Sequence, residues 1–198
     1  WTGTGLSTAA KTVTISKGST GNKSYTANWT PTNYTISYNT NGGSISGQKT
    51  TYNIETDSFT LPTPTRNGYT FTGWTGTGLS SATKTVTIPK GNTGDKSYTA
   101  NWTPINYTIS YDLDGGSVAG TNPVTYTVED DITLINPTKT GYTFAGWTGT
   151  DLSGKTMTVT IEKGTIGDKE YTANWTAKIY KVTFNANGGT ASKTEDTA

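Results

Sequence analysis

The stretch Gly-Tyr-Thr-Phe-Thr-Gly-Trp at residues 68–74 returns at residues 141–147 as Gly-Tyr-Thr-Phe-Ala-Gly-Trp. The period of 73 residues also separates Trp29, Trp102 and Trp175. Between the segments 34–106 and 107–179, 41 of 73 aligned positions are identical. A repeat of this length corresponds to a whole small domain and not to a single turn of a solenoid.

The period divides the chain into four segments. We predict the C-terminal part of a repeat at 1–33, complete repeats at 34–106 and 107–179, and the N-terminal part of a repeat at 180–198. The two partial segments together lack the equivalent of residues 53–73. We therefore expect a window of a longer array; an association between terminal pieces of neighbouring chains is the alternative.

Each complete repeat has the pattern of a β-structure. Apolar and polar residues alternate over short stretches, which is typical of half-buried strands; in the first complete repeat these stretches are 34–38, 69–74, 85–88 and 98–102. Asn41-Gly42-Gly43 predicts a hairpin turn, with a second strand around 49–54. The acidic, proline-bearing segment 55–65 differs in spacing between the copies, so we predict a surface crossover there, with room for one helical turn.

The composition supports this reading and excludes several functions. Thr fills 47 positions, Gly 24 and Tyr 12, and Thr and Tyr favour strands. The net charge is +1, without a basic stripe for nucleic acid, and no apolar run approaches the ~20 residues that span a bilayer. The chain has no Cys and no His, so it lacks disulfides, thiol nucleophiles and the most common general base and metal ligand.

Several residue groups invite a chemical interpretation. The loop 112–116, with Asp112 and Asp114, has some features of a calcium loop, but further ligands do not follow and the other copies carry Asn. The glycines around 73–78 lack the Lys-Ser/Thr of a phosphate loop. A hairpin turn and a tight turn explain these two segments, so we predict no metal and no cofactor.

Three further groups of residues each allow a functional and a structural interpretation. Glu55 and Asp57 correspond to the acidic run 129–131 with slipped spacing, which suits a solvated loop better than paired catalytic carboxylates. Recurring Lys and Asn residues offer an isopeptide bond as an alternative to ordinary strand positions: Lys23, Lys96 and Lys169 with Asn28, Asn101 and Asn174. Four tryptophans can fill the core and the junctions or form a sugar-stacking platform: Trp74, Trp102, Trp147 and Trp175. Packing in the core or at the junctions of units is the expected role.

The repeat resembles the Listeria-Bacteroides repeat, also called the internalin-type B-repeat. Its motifs lie at 34–43, 61–74 and 98–102, and again at 107–116, 134–147 and 171–175. The resemblance implies a β-grasp-like, ubiquitin-related module in tandem on secreted or cell-wall-attached bacterial proteins, and no catalytic residues to transfer. We expect mainly β modules, with little or no helix, in an extended rod.

The resulting hypothesis is a structural one: a stalk or spacer of an extracellular bacterial surface protein or filament that presents an adhesive region. Its expected partners are neighbouring repeats, and other copies in a filament. The alternative is an adhesin module that contacts a glycan or a host or partner protein directly. Enzymatic activity is not expected.

Overall fold

The computed structural model describes residues 1–190, 192 and 195–197, and these residues form strands, turns and loops but no helix. The prediction of a mainly β protein with little or no helix is confirmed. The predicted partial repeat 180–198 lies partly outside the described residues. In chain order, the strands are β1 (Thr2–Gly3), β2 (Tyr25–Thr26), β3 (Tyr34–Asn39), β4 (Thr51–Tyr52), β5 (Phe59–Thr60), β6 (Tyr69–Gly76), β7 (Thr87–Ile88), β8 (Lys96–Pro104), β9 (Tyr107–Asp112), β10 (Thr125–Tyr126), β11 (Ile132–Thr133), β12 (Tyr142–Gly149), β13 (Thr160–Ile161), β14 (Lys169–Ala177), β15 (Lys181–Thr183) and β16 (Glu195–Thr197).

The two complete repeats have the same sheet topology. The first forms a four-stranded sheet in the order β4-β3-β8-β6, and the second a sheet in the order β10-β9-β14-β12. The outer pairs are hairpin-like: β3 and β4 run antiparallel, with Tyr34 opposite Tyr52. The central pair is parallel, with Ile36 opposite Lys96 in the first repeat. The first and last long strands of each repeat are therefore neighbours in the middle of its sheet.

A small second sheet completes each repeat. Strand β5 pairs with β7 and strand β11 with β13, both antiparallel. Strands β5 and β11 belong to the segment that we predicted as a surface crossover, and that prediction is wrong. Leu61 is only 3% exposed, and Pro64 is among the most completely buried side chains. The segment contributes apolar side chains to the core, and it contains no helical turn.

Equivalent side chains fill the core of each repeat. In the second repeat they form one cluster: Ile109, Tyr126, Leu134, Trp147, Val159, Ile161, Tyr171 and Ala173. Their counterparts in the first repeat are all buried: Ile36, Tyr52, Leu61, Trp74, Val86, Ile88, Tyr98 and Ala100. Burial of one large aromatic side chain contributes about 2–3 kcal/mol, so the three aromatic residues in each core carry much of the stability of so small a core.

A β-bulge brings two aromatic residues of the Gly-Tyr-Thr-Phe-Ala-Gly-Trp motif at 141–147 to the same side of the sheet. Strict alternation would place Phe144 and Trp147 on opposite faces of β12. The pairing of β12 with β14 shifts by one residue between Phe144 and Gly146. The rings of Phe144 and Trp147 consequently meet edge to face, with their centroids 5.5 Å apart.

The chain separates into two compact units. The first comprises Trp1–Pro64 and Thr72–Asn101, and the second comprises Thr65–Phe71 and Trp102–Ala198. The end of the β6–β8 ribbon therefore belongs to the second unit, together with the whole of the second complete repeat.

Candidate functional site

The tryptophans that end the two Gly-Tyr-Thr-Phe-x-Gly-Trp motifs, Trp74 and Trp147, are core residues. Trp74 and Trp147 are 0% exposed. The indole Nε1 of Trp147 donates a hydrogen bond of 2.9 Å to Oδ1 of Asn136. A ring without accessible surface has no face to offer a sugar, so these two residues do not form a glycan platform.

The second pair of tryptophans packs at the end of the long ribbon. Trp102 meets Phe71 edge to face at a centroid distance of 5.5 Å, and Trp175 meets Phe144 at 5.6 Å. Both indoles are half-buried, and Nε1 of Trp175 donates to the carbonyl of Leu113 at 3.1 Å. The expected packing role is therefore observed for these residues as well.

The aspartates of the loop 112–116 stabilise a turn. Asp114 has a φ of 45°, and its amide donates to Oδ1 of Asp112 at 2.9 Å. Asn41 repeats this conformation, with a φ of 48° and a bond of 3.0 Å to Asn39. Asn and Asp tolerate this left-handed conformation and bond the backbone two residues on. Within the described residues, no group of three or more His, Cys, Asp or Glu side chains lies close enough to hold a metal ion.

The carboxylates of the acidic segment have separate partners. Asp57 forms an exposed ion pair with Lys90 at 2.9 Å. Asp130 accepts the backbone amide of Thr127 at 2.7 Å, and this hydrogen bond lowers the pKa of its carboxyl. Asp57 thus serves an ion pair and Asp130 a local turn, as expected of carboxylates in a solvated loop.

The recurring lysines and asparagines occupy different environments. The amide of Asn174 donates to the carbonyl of Gly146 and to Oγ1 of Thr148, at 3.1 and 3.0 Å. The ammonium of Lys169, which is 5% exposed, donates to Asp151 at 2.6 Å. Lys169 and Asn174 are five positions apart on one strand, so they face opposite sides of the sheet. The geometry does not favour the isopeptide bond between them.

One aspartate in each repeat fastens a distant turn to the first strand. Asp95 accepts the amide of Thr35 at 2.7 Å, and Asp168 accepts the amide of Thr108 at 2.8 Å. These backbone hydrogen bonds lower the pKa of both carboxyls. They anchor the turn that precedes the last strand onto the start of the first strand.

The sequence did not indicate a contact inside the second compact unit, which we call the Gly-Tyr clasp: Gly68 and Tyr69 on one side, Val128 and Glu129 on the other. The hydroxyl of Tyr69 donates to Oε1 of Glu129 at 3.0 Å. Gly68 has a φ of 74° and lies so close to Val128 that a Cβ built on it would clash with the valine side chain. Val128 is consequently 7% exposed.

Two further contacts support the Gly-Tyr clasp. The guanidinium of Arg66 lies over the ring of Tyr69, 3.6 Å from its centroid. The carbonyl of Gly68 accepts the amide of Ile105 at 2.9 Å, which holds the clasp to the segment that leads into β9. The only sequence signal was an apolar residue, Val128, in an otherwise acidic loop, and such a signal is too weak to predict a contact.

Among the described residues, no helix is long and apolar enough to cross a membrane. Comparison with known proteins gives a match to one family and matches to several curated proteins. The profile of the Listeria-Bacteroides repeat domain matches residues 34–101 and 107–174. No solved structure matches the chain significantly.

Curated proteins of two bacteria are similar to the chain. A putative Gly-rich membrane protein of Evansella cellulosilytica is 31% identical over 175 residues, which is 82% of this chain and 18% of that protein. Internalin H of Listeria monocytogenes is 37% identical over 86 residues, which is 42% of this chain and 15% of internalin H. The chain thus spans less than a fifth of the length of either relative. The two profile matches cover more than half of its residues, and the chain therefore belongs to the Listeria-Bacteroides repeat domain family.

Proposed function

We propose that these repeats form a load-bearing stalk or spacer of an extracellular bacterial surface protein. The observation that carries the proposal is the parallel central pair of strands in each repeat. Strand β9 begins the second repeat and β14 ends it, and residues 109–112 of β9 lie beside residues 169–172 of β14 in parallel register.

Parallel neighbours place the N-terminal end of β9 and the C-terminal end of β14 at opposite ends of the pair. Tension along the chain therefore shears the two strands past each other. Shear loads the hydrogen bonds of the ladder together, whereas tension at one end would open them one after another. A repeat with this topology resists extension more strongly than its small core alone suggests.

The relatives support the surface location. One of them is named a membrane protein and the other an internalin. We infer that this chain belongs to the cell surface or cell wall in the same way, and that it spaces an adhesive region from the cell. The order of strands in the sheet, with a parallel central pair, also supports a β-grasp-like module that has lost its helix. The rod arrangement of successive modules is part of the same proposal.

Single-molecule force spectroscopy tests the proposal, and the absence of cysteine makes thiol attachment unambiguous. In the shear arrangement, cysteines replace Asn106 and Lys178, so tension enters at opposite ends of the parallel pair. In the control arrangement, cysteines replace Asn106 and the exposed Ile166, which lie at the same end. We expect an unfolding force several times larger for shear. Equal forces would show that the parallel pair bears no special load.

A direct contact with glycans is less well supported. The best candidates for a stacking platform, Trp74 and Trp147, are completely buried. No arrangement of exposed aromatics recurs in both complete repeats, within the part of the chain that the structure describes. We therefore place adhesion in the region that the stalk presents, and not in the repeats.

A further inference from the structure

Strands β6 and β8 each take part in both compact units. Residues 69–71 of β6 and residues 102–104 of β8 belong to the second unit, and the rest of both strands belongs to the first. The two strands are neighbours in one sheet. We call their part in the second unit, together with the turn at 65–68, the ribbon end. Trp74, which lies on the same strand as the ribbon end, is completely buried in the core of the first repeat.

Side-chain contacts join the two strands where the ribbon end begins. Nδ2 of Asn101 on β8 donates hydrogen bonds to the carbonyl of Gly73 and to Oγ1 of Thr75 on β6, both at 3.0 Å. Just beyond these bonds, the rings of Phe71 and Trp102 meet edge to face, with their centroids 5.5 Å apart. The ribbon end is therefore a continuation of the sheet of the first repeat, and its two-stranded form depends on the pairing of β6 with β8.

The other side of the Gly-Tyr clasp, Val128 and Glu129, is built by the second repeat. Both residues follow Tyr126, which belongs to the core cluster of that repeat. The carbonyl of Val128 accepts the amide of Gly164 at 2.8 Å. Because the core residue and this hydrogen bond fix the loop, this side of the clasp exists only when the second repeat is folded.

We propose that the Gly-Tyr clasp couples the folding of the two complete repeats, so that the folded second repeat is the partner that the first repeat requires for its full stability. The clasp holds β6 at Tyr69, and the core of the first repeat holds the same strand at Trp74. Loss of either core therefore releases a contact that stabilises the other repeat. In tandem repeats, such a contact acts as a nearest-neighbour term in the stability. The proposal concerns folding, so it does not rest on the proposed stalk function.

The experiment places every substitution in the second repeat and measures the first. Ala173→Asp introduces an unpaired charge into the core cluster and should unfold the second repeat. Hydrogen exchange of the β3 amides in the whole chain is the readout, for example the amide of Ile36, which bonds the carbonyl of Thr50 at 2.8 Å. We expect these amides to exchange about tenfold faster, as the loss of a hydrogen bond to a charged acceptor predicts.

A second variant opens the clasp but leaves the core cluster intact. Val128→Ala combined with Glu129→Gln should accelerate exchange in β3 by nearly the same factor. Addition of Ala173→Asp to this clasp variant should then change the exchange in β3 little further, because the contact that transmits the loss is already gone. Asp131→Asn is the matched control, since it alters a neighbouring acidic residue outside the clasp and should leave exchange in β3 unchanged.

Three results would overturn the proposal. The first is unchanged exchange in β3 of Ala173→Asp while the amides of β9 lose their protection, because the first repeat would then be independent of the second. The second is unchanged exchange in β3 of the clasp variant. The third is additive acceleration by Ala173→Asp and the clasp variant, because the coupling would then run through contacts other than the clasp.

Discussion

Replacing Gly68 by alanine tests whether the Gly-Tyr clasp stabilises the second compact unit. Gly68 and Gly141 occupy equivalent positions and have nearly the same backbone conformation, with φ of 74° and 79°. Their surroundings differ. A Cβ on Gly68 would clash with Val128, while a Cβ on Gly141 would have no atom within 4 Å. Gly141→Ala is therefore a matched control for backbone strain.

The magnitudes follow from these two environments. A non-glycine residue in the left-handed region costs ~1–2 kcal/mol, and this cost applies to both variants. Insertion of a methyl group into a packed contact adds ~1–3 kcal/mol, and this cost applies only to Gly68→Ala. We expect a loss of ~1–2 kcal/mol for Gly141→Ala and ~2–5 kcal/mol for Gly68→Ala.

Urea denaturation of both variants measures the difference, with hydrogen exchange of the amides of β9 and β14 as the local readout for the second unit. The double variant with Val128→Ala provides the decisive comparison. Removal of the valine methyls should relieve the clash, so the two losses should be less than additive by ~1 kcal/mol or more. Equal losses for Gly68→Ala and Gly141→Ala, or additive losses in the double variant, would refute the existence of the packed contact.

Three further predictions concern the repeats themselves. Asn136→Ala should destabilise the second unit by ~1–3 kcal/mol in urea, because the buried Nε1 of Trp147 loses its acceptor, while Asn136→Asp, which keeps an acceptor oxygen, should lose less; equal losses would contradict this role. The hydrogen bonds that lower the pKa of Asp95 and Asp168 stabilise the fold above the unfolded pKa of about 4 and are lost as the pH falls below it. The urea midpoint should therefore fall from pH 5 to pH 2, with a shallower slope in the double Asp→Asn variant; an unchanged slope would exclude these groups. Burial raises the pKa of Tyr38 and Tyr111 to about 12, so stability is present below pH ~10 and lost towards pH 12. Absorbance at 295 nm should show ionisation and unfolding together in that interval, and Tyr111→Phe should make unfolding less sensitive to alkali.

The sequence pattern was sufficient for the elements that depend on local alternation. The stretches around 34–38, 69–74, 85–88 and 98–102 all contain strands, since side-chain alternation and β-branched residues act over a few positions. The buried crossover was missed because Pro62 and Pro64 have the local signature of a surface loop. Burial of Leu61 and Pro64 is decided by packing against the rest of the repeat, which local pattern does not encode.

The turn at Asn41 and the second strand around 49–54 were both predicted correctly, although that strand is only the two residues Thr51–Tyr52. The amide of Gly43 bonds the carbonyl of Thr40 at 3.1 Å, as a tight turn requires. The antiparallel partner of Tyr34 is Tyr52, however, so the turn opens a long loop instead of joining two strands directly. The Gly-Tyr clasp was beyond prediction for a related reason: it depends on residues 60 positions apart and on the absence of a single side chain.

The parallel central pair also determines when a repeat can fold. Paired residues of β9 and β14 are 60 positions apart in the sequence, as for Ile109 and Lys169. The middle of the sheet therefore forms only after almost the whole repeat has been synthesised. During that interval one edge of β9 is open, since β9 pairs with β10 on its other side only. The preceding repeat ends in β8, whose sequence is nearly identical to that of β14. Tandem copies with this topology are exposed to strand exchange between neighbours during synthesis.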